Sequence, residues 1–214
     1  MKLVITPVTP FAQNCSCVVC EQSGAAALVD PGGDIDRLEE VLVSTGARLE
    51  SILVTHAHLD HAGAAQPLAQ RHGVPILGPH RDDAFLAGAM RQQAAMFGGS
   101  WPVHDFEPDR WLEQGDEVTV GALRFEVRHC PGHTPGHVVF YCAAEKIVFV
   151  GDVLFKGSIG RSDFPRGDYD TLIRSIESRL LSLPDDVVIV PGHGPTSTIG
   201  DERRSNPFLA GGAG

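Results

Sequence analysis

Short apolar runs alternate with turn residues along most of this 214-residue chain. Most of the runs end at Gly, Pro, Asp or His, which is typical of β-strands closed by turns. The predicted strands cover residues 2–6, 14–20, 25–29, 51–54, 74–77, 118–128, 137–141, 147–150 and 187–190. Many short strands separated by helical segments favour an α/β fold built in layers.

Apolar residues at helical spacing lie between some of these strands. The first set follows Asp34, the expected N-cap of its helix, and the second follows Asp168 or Asp170. We expect a third helix with Pro67 in its first turn, where proline is tolerated. The apolar sets are Ile35, Leu38, Val41 and Leu42, and Leu172, Ile173, Ile176 and Leu180. This order predicts two packed sheets with helices outside, in one domain over residues 1–214.

The segment 91–114 shows no clean period and predicts a long ordered loop or cap. Its large apolar side chains are Met96, Phe97, Trp101, Phe106 and Trp111. Two interpretations stay open: the segment is a functional lid, or its aromatic rings cover the core. The small-residue tail, 210–214, is expected to be frayed.

Composition narrows the classes of partner. Lys and Arg number 17 against 27 Asp and Glu, a net charge of −10, whereas proteins that bind nucleic acid need a positive field. No apolar run approaches the roughly 18–20 residues of a membrane helix. Pro7 and Pro10 interrupt the N-terminal apolar run, so no signal peptide is predicted. We therefore expect neither a nucleic-acid partner nor a membrane.

The five cysteines are an odd number in a chain long enough to fold without disulfides. This favours reduced thiols and a cytoplasmic location. Cys15, Cys17 and Cys20 lie close together, but no second Cys or His pair follows at zinc-finger spacing. We expect them to be buried strand residues.

Histidine is frequent in the chain, with ten residues. One predicted strand leads directly into Thr55-His56-Ala57-His58-Leu59-Asp60-His61. The pattern H-x-H-x-D-H would arise by chance in roughly one of several hundred shuffled chains, so it is a specific motif. Side chains two residues apart in extended backbone point the same way, so His56 and His58 can hold one ion. Asp60 and His61 would then turn towards a second ion.

Four side chains cannot complete two metal sites, since zinc takes about four ligands each. Further candidates stand in Gly- and Pro-rich turns at the ends of other predicted strands: His133, Asp152 and His193. Asp152 can bridge two ions through its two oxygens. The predicted metal ligands are His56, His58, Asp60, His61, His133, Asp152 and His193.

The other five histidines have less to connect them to this site. His72, His80 and His104 stand in polar or helical contexts and are expected at the surface. His129 and His137 each lie four positions from His133 in the sequence. We interpret His137 as a structural residue or one that orients a metal ligand, because ligating histidines need such partners.

The segments T-H-A-H-L-D-H, P-G-H-T-P-G-H, G-D and P-G-H-G, in this order, resemble the metallo-β-lactamase superfamily. Residues 151–170 and the closing Asn206-Pro207-Phe208-Leu209 are similar to short, single-domain glyoxalase II-type hydrolases. The resemblance runs from about residue 3 to residue 209. It implies an αββα sandwich of two mixed sheets with a dinuclear metal site at one edge.

The resemblance also implies a role for each residue that matches its motifs. His56, His58 and His133 would hold metal 1, and Asp60, His61 and His193 would hold metal 2. Asp152 would bridge the ions, and Asp60 and Asp152 are the predicted catalytic carboxylates. Two divalent ions are expected, with zinc first and iron or manganese as alternatives. The C-terminal helical domain that binds glutathione in two-domain glyoxalase II enzymes is not expected here.

The function that follows is hydrolysis of a thioester, with S-lactoylglutathione or a similar S-acylglutathione as the substrate. A hydroxide between the two ions is the expected nucleophile, and a thiolate leaves without a strong general acid. Lys156 and Arg161 are predicted contacts for the carboxylates of this anionic small molecule, with Arg166 less favoured.

Three alternatives remain open from the sequence. The segment Gly160-Arg161-Ser162-Asp163-Phe164 also resembles a related group of mononuclear iron persulfide dioxygenases. A lactonase of the same fold is a second alternative, whereas a β-lactamase or nuclease fits less well. A noncatalytic metal-binding protein is the third, disfavoured because the chain keeps every ligand.

Overall fold

The computed structural model describes residues 1–98 and 102–209. Its strands are β1 (Lys2–Val8), β2 (Gln13–Val19), β3 (Ala25–Val29), β4 (Arg48–Leu53), β5 (Ile76–Leu77), β6 (Glu117–Val120), β7 (Leu123–His129), β8 (Val138–Cys142), β9 (Ile147–Gly151), β10 (Leu154–Phe155), β11 (Ser158–Ile159), β12 (Val188–Pro191) and β13 (Ser197–Thr198). Its helices are α1 (Ile35–Thr45), α2 (Leu59–Ala62), α3 (Ala65–His72), α4 (Ala84–Ala87), α5 (Met90–Met96), α6 (Tyr169–Ser175) and α7 (Ile199–Ser205). A 3-10 turn, Arg81–Asp83, precedes α4, and a π-helical segment, Ile176–Leu180, continues α6.

The strands form two mixed sheets. The first has the order β1-β2-β3-β4-β5, antiparallel as far as β3 and parallel from β3 to β5. The second has the order β13-β12-β9-β8-β7-β6, in which only β9 and β12 run parallel. β10 and β11 form a separate hairpin.

Three apolar layers hold the sheets and helices together. The middle layer lies between the sheets, where Leu53 of β4 faces Phe125 and Phe140 of the second sheet. On the outer face of the first sheet, Ile52 packs in one cluster with residues of α1 and α3. On the outer face of the second sheet, Val148 packs in one cluster with residues of α6. The predicted αββα sandwich is confirmed.

Each predicted strand corresponds to an observed one, with one correction. The run 118–128 is two strands, β6 and β7, because the chain turns at Gly121 with a left-handed φ of 55°. A side chain at this position would also collide with the Ser23 hydroxyl. The strands β10, β11 and β13 are too short to show an alternating pattern in the sequence, and they are absent from the predicted strands.

The three predicted helices are present. Asp168 is the N-cap of α6, where its carboxylate accepts a hydrogen bond from the Thr171 amide at 2.8 Å. Asp34 occupies the N-cap position of α1, but the expected side-chain cap is wrong. Its backbone is left-handed, with φ 50°, and its carboxylate accepts from the Thr9 amide instead. Pro67 lies in the first turn of α3, as expected.

The prediction of a loop over 91–114 is wrong at its start, where α5 runs to Met96. Beyond α5, Phe106 is buried and Trp111 packs against the same core cluster, which supports the core-covering interpretation for these two rings. Met96 and Phe97 stay exposed. Trp101 and the tail 210–214 lie outside the described residues.

All five cysteines are free and buried, as predicted for Cys15, Cys17 and Cys20 in and beside β2. Among the described residues, no helix has the length and apolar composition to cross a membrane.

Candidate metal centre

Four loops that follow strands carry the seven predicted ligands. The segment 55–61 follows β4, and His133 lies in the loop between β7 and β8. Asp152 follows β9, and His193 follows β12. Short distances between their side chains show that these loops meet at one edge of the sandwich, as functional loops on a rigid scaffold commonly do.

His56, His58 and His133 form what we call the three-histidine group. Nε2 of His56 and Nε2 of His133 each lie 3.0 Å from Nδ1 of His58. Two nitrogens bound to one tetrahedral zinc at about 2.0–2.1 Å would lie roughly 3.3 Å apart. The three nitrogens are therefore close to the spacing that one ion requires.

Asp60, His61 and His193 form a second cluster, the carboxylate group. Oδ2 of Asp60 lies 3.1 Å from Nε2 of His193 and 3.9 Å from Nε2 of His61. Asp60 and His61 lie in the short helix α2, for which His58 is the N-cap residue. One segment of the chain thus contributes ligands to both groups.

Asp152 stands between the two groups. Its Oδ1 lies 3.2 Å from Nε2 of His61, and its Oδ2 lies 3.7 Å from Nε2 of both His133 and His193. Among the described residues, Nε2 of His61 and Oδ1 of Asp152 are buried without a hydrogen-bond partner. These two unpartnered atoms, one in the carboxylate group and one on Asp152, fit side chains that would hold divalent metal ions.

In three of these histidines the other ring nitrogen also has a partner. Nδ1 of His133 lies 2.7 Å from the Arg161 carbonyl oxygen, and Nδ1 of His61 lies 2.9 Å from Oδ2 of Asp30. Nδ1 of His56 lies 3.1 Å from the Thr55 hydroxyl, which donates to Asp30. These contacts place the proton on Nδ1 and leave Nε2 of each ring available as a metal ligand.

His137 does not join either group. It is fully buried and stacks on the His56 ring, with 4.6 Å between centroids. Its Nε2 accepts a hydrogen bond from the Asp152 amide. A Cβ at Gly151 would come within 2.7 Å of this nitrogen, so only glycine allows the approach. These contacts agree with the orienting role expected from the sequence.

The two groups differ in their electrostatics. Burial lowers the pKa of His56 well below its ordinary value, and it lowers the pKa of His58 to about 3. Burial opposes protonation of His61 too, but Asp152 and Asp60 reverse the effect and raise its pKa well above normal. For His193, the hydrogen bond to Asp60 overcomes burial and raises the pKa. Burial alone would raise the pKa of Asp152, yet His61 and its neighbours hold it far below the usual range.

The predicted substrate contacts lie next to the two groups. Arg161 is exposed, pairs with Asp163 and lies 4.6 Å above the Phe164 ring, which in turn contacts His58 and His133. Lys156 is exposed in the turn of the β10–β11 hairpin, directly after Phe155, whose ring faces His193. Arg166 lies over the ring of Phe85 instead.

The remaining histidines are partly as expected. His72 and His104 are exposed. His80 is half-buried, so the surface prediction is wrong for this residue: its ring stacks on His129, and its Nε2 lies 2.9 Å from Glu113. Although His80, Asp82 and His129 are close together, the stacked rings cannot both direct a nitrogen lone pair at one ion.

Sequence reasoning missed two buried carboxylates that support the centre. Asp30 bonds the Thr55 amide, the Thr55 hydroxyl and His61. Asp83 bonds the Ala57 amide, the Thr134 hydroxyl and the Gly136 amide. Burial raises the pKa of Asp83 to about 6. The only sequence signal was position: Asp30 directly follows a strand, as Asp152 nearly does.

An αββα sandwich with two facing His and Asp groups at one edge defines a metallo-hydrolase. The family model of the metallo-β-lactamase superfamily matches residues 8–193, and the chain belongs to this family. The chain is 49% identical over 210 residues to hydroxyacylglutathione hydrolase GloC of Haemophilus influenzae, covering 98% of both chains.

Three solved structures are similar over nearly the whole chain. BLEG-1 B3 metallo-β-lactamase has a TM-score of 0.90 and 35% identity, with 98% of this chain and 100% of that one covered. The di-iron-bound form of TTHA1623 has a TM-score of 0.87 and 39% identity, with 96% and 100% covered. ETHE1 from Myxococcus xanthus has a TM-score of 0.81 and 26% identity, with 99% and 85% covered.

Proposed function

We propose that this chain is a metal-dependent thioester hydrolase that cleaves S-lactoylglutathione or a similar S-acylglutathione. The observation that carries the proposal is the position of Asp152 between two groups of metal-binding side chains. The name of the relative at 49% identity, a hydroxyacylglutathione hydrolase, supports the substrate class.

In this proposal the three-histidine group would hold one divalent ion and the carboxylate group the other. Asp152 would serve as a ligand shared by the two groups, and Asp60 and Asp152 are the proposed catalytic carboxylates. The bound ions would supply a water of lowered pKa as the nucleophile and stabilise negative charge on the carbonyl oxygen. The side chain of Asp60 is 20% exposed and that of Asp152 is 13% exposed, so Asp60 is the more accessible of the two carboxylates.

The chain's own residues also account for binding of an anionic substrate. Arg161 lies one aromatic ring away from the three-histidine group, and Lys156 borders the carboxylate group through Phe155. A substrate carboxylate would replace Asp163 as the partner of Arg161, which keeps its charge paired. The leaving thiolate, from a thiol with a pKa of about 8.5, departs without a protonated side chain.

The proposal extends to the metal, the domain and the compartment. Zinc is the first expectation because His and carboxylate ligands suit it, and iron and manganese accept the same ligands. We propose that residues 1–214 act as one domain. Five buried free thiols support a reducing compartment such as the cytoplasm.

The test is release of glutathione from S-lactoylglutathione by protein loaded with zinc, iron or manganese. We expect turnover that disappears with a chelator and returns with added metal. Asp152→Asn should be inactive, while Asp163→Asn, an exposed carboxylate on the same side, should retain most turnover. Absence of metal-dependent turnover on any S-acylglutathione would overturn the proposal.

A second candidate is a mononuclear iron persulfide dioxygenase, motivated by the segment 160–164 beside the three-histidine group. It needs one iron held by His56, His133 and Asp152. Metal analysis separates the two candidates: one iron per chain with oxygen uptake on glutathione persulfide favours the dioxygenase. Lactones and a β-lactam in the same panel test the remaining hydrolase activities of this fold.

A further inference from the structure

Asp83 is a fully buried carboxylate at the end of the 3-10 turn before α4. Its Oδ2 accepts hydrogen bonds from the Ala57 amide at 3.1 Å and from the Thr134 hydroxyl at 2.9 Å. Its Oδ1 accepts from the Gly136 amide at 2.6 Å. No Lys or Arg forms an ion pair with it within residues 1–98 and 102–209, so neutral donors alone hold the charge.

These three donors belong to the two loops that build the three-histidine group. Ala57 stands between His56 and His58, while Thr134 directly follows His133. The loops come from different sheets, and the group forms only where they meet. One carboxylate therefore connects the two loops without touching any ligand side chain.

The approach of Asp83 to the His133 loop leaves no room for a side chain. A Cβ on Gly136 would lie 2.5 Å from the Asp83 amide nitrogen and 2.7 Å from its Cγ. The His80 amide also donates to the Gly136 carbonyl at 3.0 Å. The turn 80–83 is thus docked on this loop through its backbone as well as through the carboxylate.

We propose that Asp83 is a positioning residue that sets the spacing of the His56–His58 loop against the His133 loop, and thereby the metal affinity of the three-histidine group. This inference rests on the proposed function only in that the group binds an ion. Asp30 contrasts with Asp83, because Asp30 bonds His61 directly and reaches His56 through Thr55.

A merely structural role would have a different consequence. Loss of Asp83 would then lower the stability of the whole fold and change the affinity of both ion sites together. A positioning role changes the affinity of the three-histidine group and leaves the carboxylate group as it is. The decisive readout is therefore the ratio of the two affinities, which does not depend on turnover.

The experiment measures zinc affinity with a competing chromophoric chelator in two backgrounds. His193→Ala leaves the three-histidine group intact, and His133→Ala leaves the carboxylate group intact. We expect Asp83→Asn to weaken zinc binding about 10- to 100-fold in the first background and less than about threefold in the second. Asp82→Asn, from the same turn but 59% exposed, is the matched control and should change neither.

Equal weakening in both backgrounds, or no change in either, would overturn the inference. A wild-type protein that binds none of zinc, iron and manganese would instead remove the proposed function. If Asp83→Asn does not fold by circular dichroism, Thr134→Val removes one of the three bonds and Thr134→Ser restores it. Weaker zinc binding in the valine variant, recovered in the serine variant, is then the expected result, and no difference between them would contradict the role.

Discussion

The two halves of the metal centre both draw ligands from one seven-residue segment, residues 55–61, but have opposite electrostatics. His56 and His61 are both fully buried, so burial by itself cannot distinguish them. His56 is surrounded by other histidine rings, and its pKa falls. His61 faces Asp152, Asp60 and Asp30, and its pKa rises.

This difference has a consequence for metal binding. A histidine with a lowered pKa is already neutral at pH 7 and can accept an ion without releasing a proton. A histidine with a raised pKa holds its proton until a metal ion displaces it. The three-histidine group is thus prepared for a metal at neutral pH, whereas the carboxylate group exchanges protons for metal.

The largest effect should follow from removing the side chain that the two halves share. Asp152→Asn takes away the negative charge that faces His61, His133 and His193. Loss of one member of a buried charged set costs about 3–5 kcal/mol, so we expect total zinc affinity to fall by about 10²- to 10⁴-fold. Chelator competition measures it, and Asp163→Asn is the exposed control. Weakening at only one group would show that Asp152 does not connect them.

Asp30→Asn should act next most strongly and chiefly on the carboxylate group. The amide cannot hold the Nδ1 proton of His61 and accept from Thr55 as the carboxylate does. Loss of such a supporting partner weakens metal binding about 10- to 100-fold. The measurement is zinc affinity in the His133→Ala background, with exposed Asp36→Asn as the control. A larger effect on the three-histidine group would contradict the difference in electrostatics between the two groups.

The pH dependence tests the contrast directly. Because the pKa values of His61 and His193 are raised, protons compete with metal at the carboxylate group more strongly as pH falls. Its affinity should drop by at least about tenfold per pH unit between pH 8 and pH 6, since one or both of these histidines must release a proton. The three-histidine group should change little, since the pKa of His58 is about 3 and that of His56 is also lowered. Measuring zinc affinity against pH in the His193→Ala and His133→Ala backgrounds compares the two groups. Equal dependence on pH in both backgrounds would contradict the predicted difference.

Arg161→Ala should give the smallest effect. Its side chain is a predicted substrate contact, while its carbonyl oxygen, which holds His133, remains in the variant. We expect KM for S-lactoylglutathione to rise about three- to tenfold with kcat and zinc affinity nearly unchanged, consistent with an exposed charged contact. A neutral thioester should show no change, and neither should Arg174→Ala. A fall in zinc affinity would instead place Arg161 among the supports of the centre.

Much of the fold was predictable because it depends on local periodicity. The runs that became β3 and β9 are continuous apolar stretches, typical of strands buried on both faces. α5 and α7 were not predicted because they are short and lack a strong apolar stripe. The β10–β11 hairpin depends on Asn206 and on the buried Glu202 of α7, which bond it from more than 40 residues away.

The sequence by itself determined the candidates for the centre. The spacing of His56, His58, Asp60 and His61, and the strand-end positions of His133, Asp152 and His193, mark the seven side chains that the structure brings together. Only the tertiary structure decided how these side chains divide into two groups and which residues support each group. Asp30 and Asp83 come from other loops, and the opposite pKa shifts of His56 and His61 arise from burial and from neighbours that include His137 and Asp152, distant in sequence. Electrostatic and hydrogen-bond energies depend on separation in space, which local patterns do not encode.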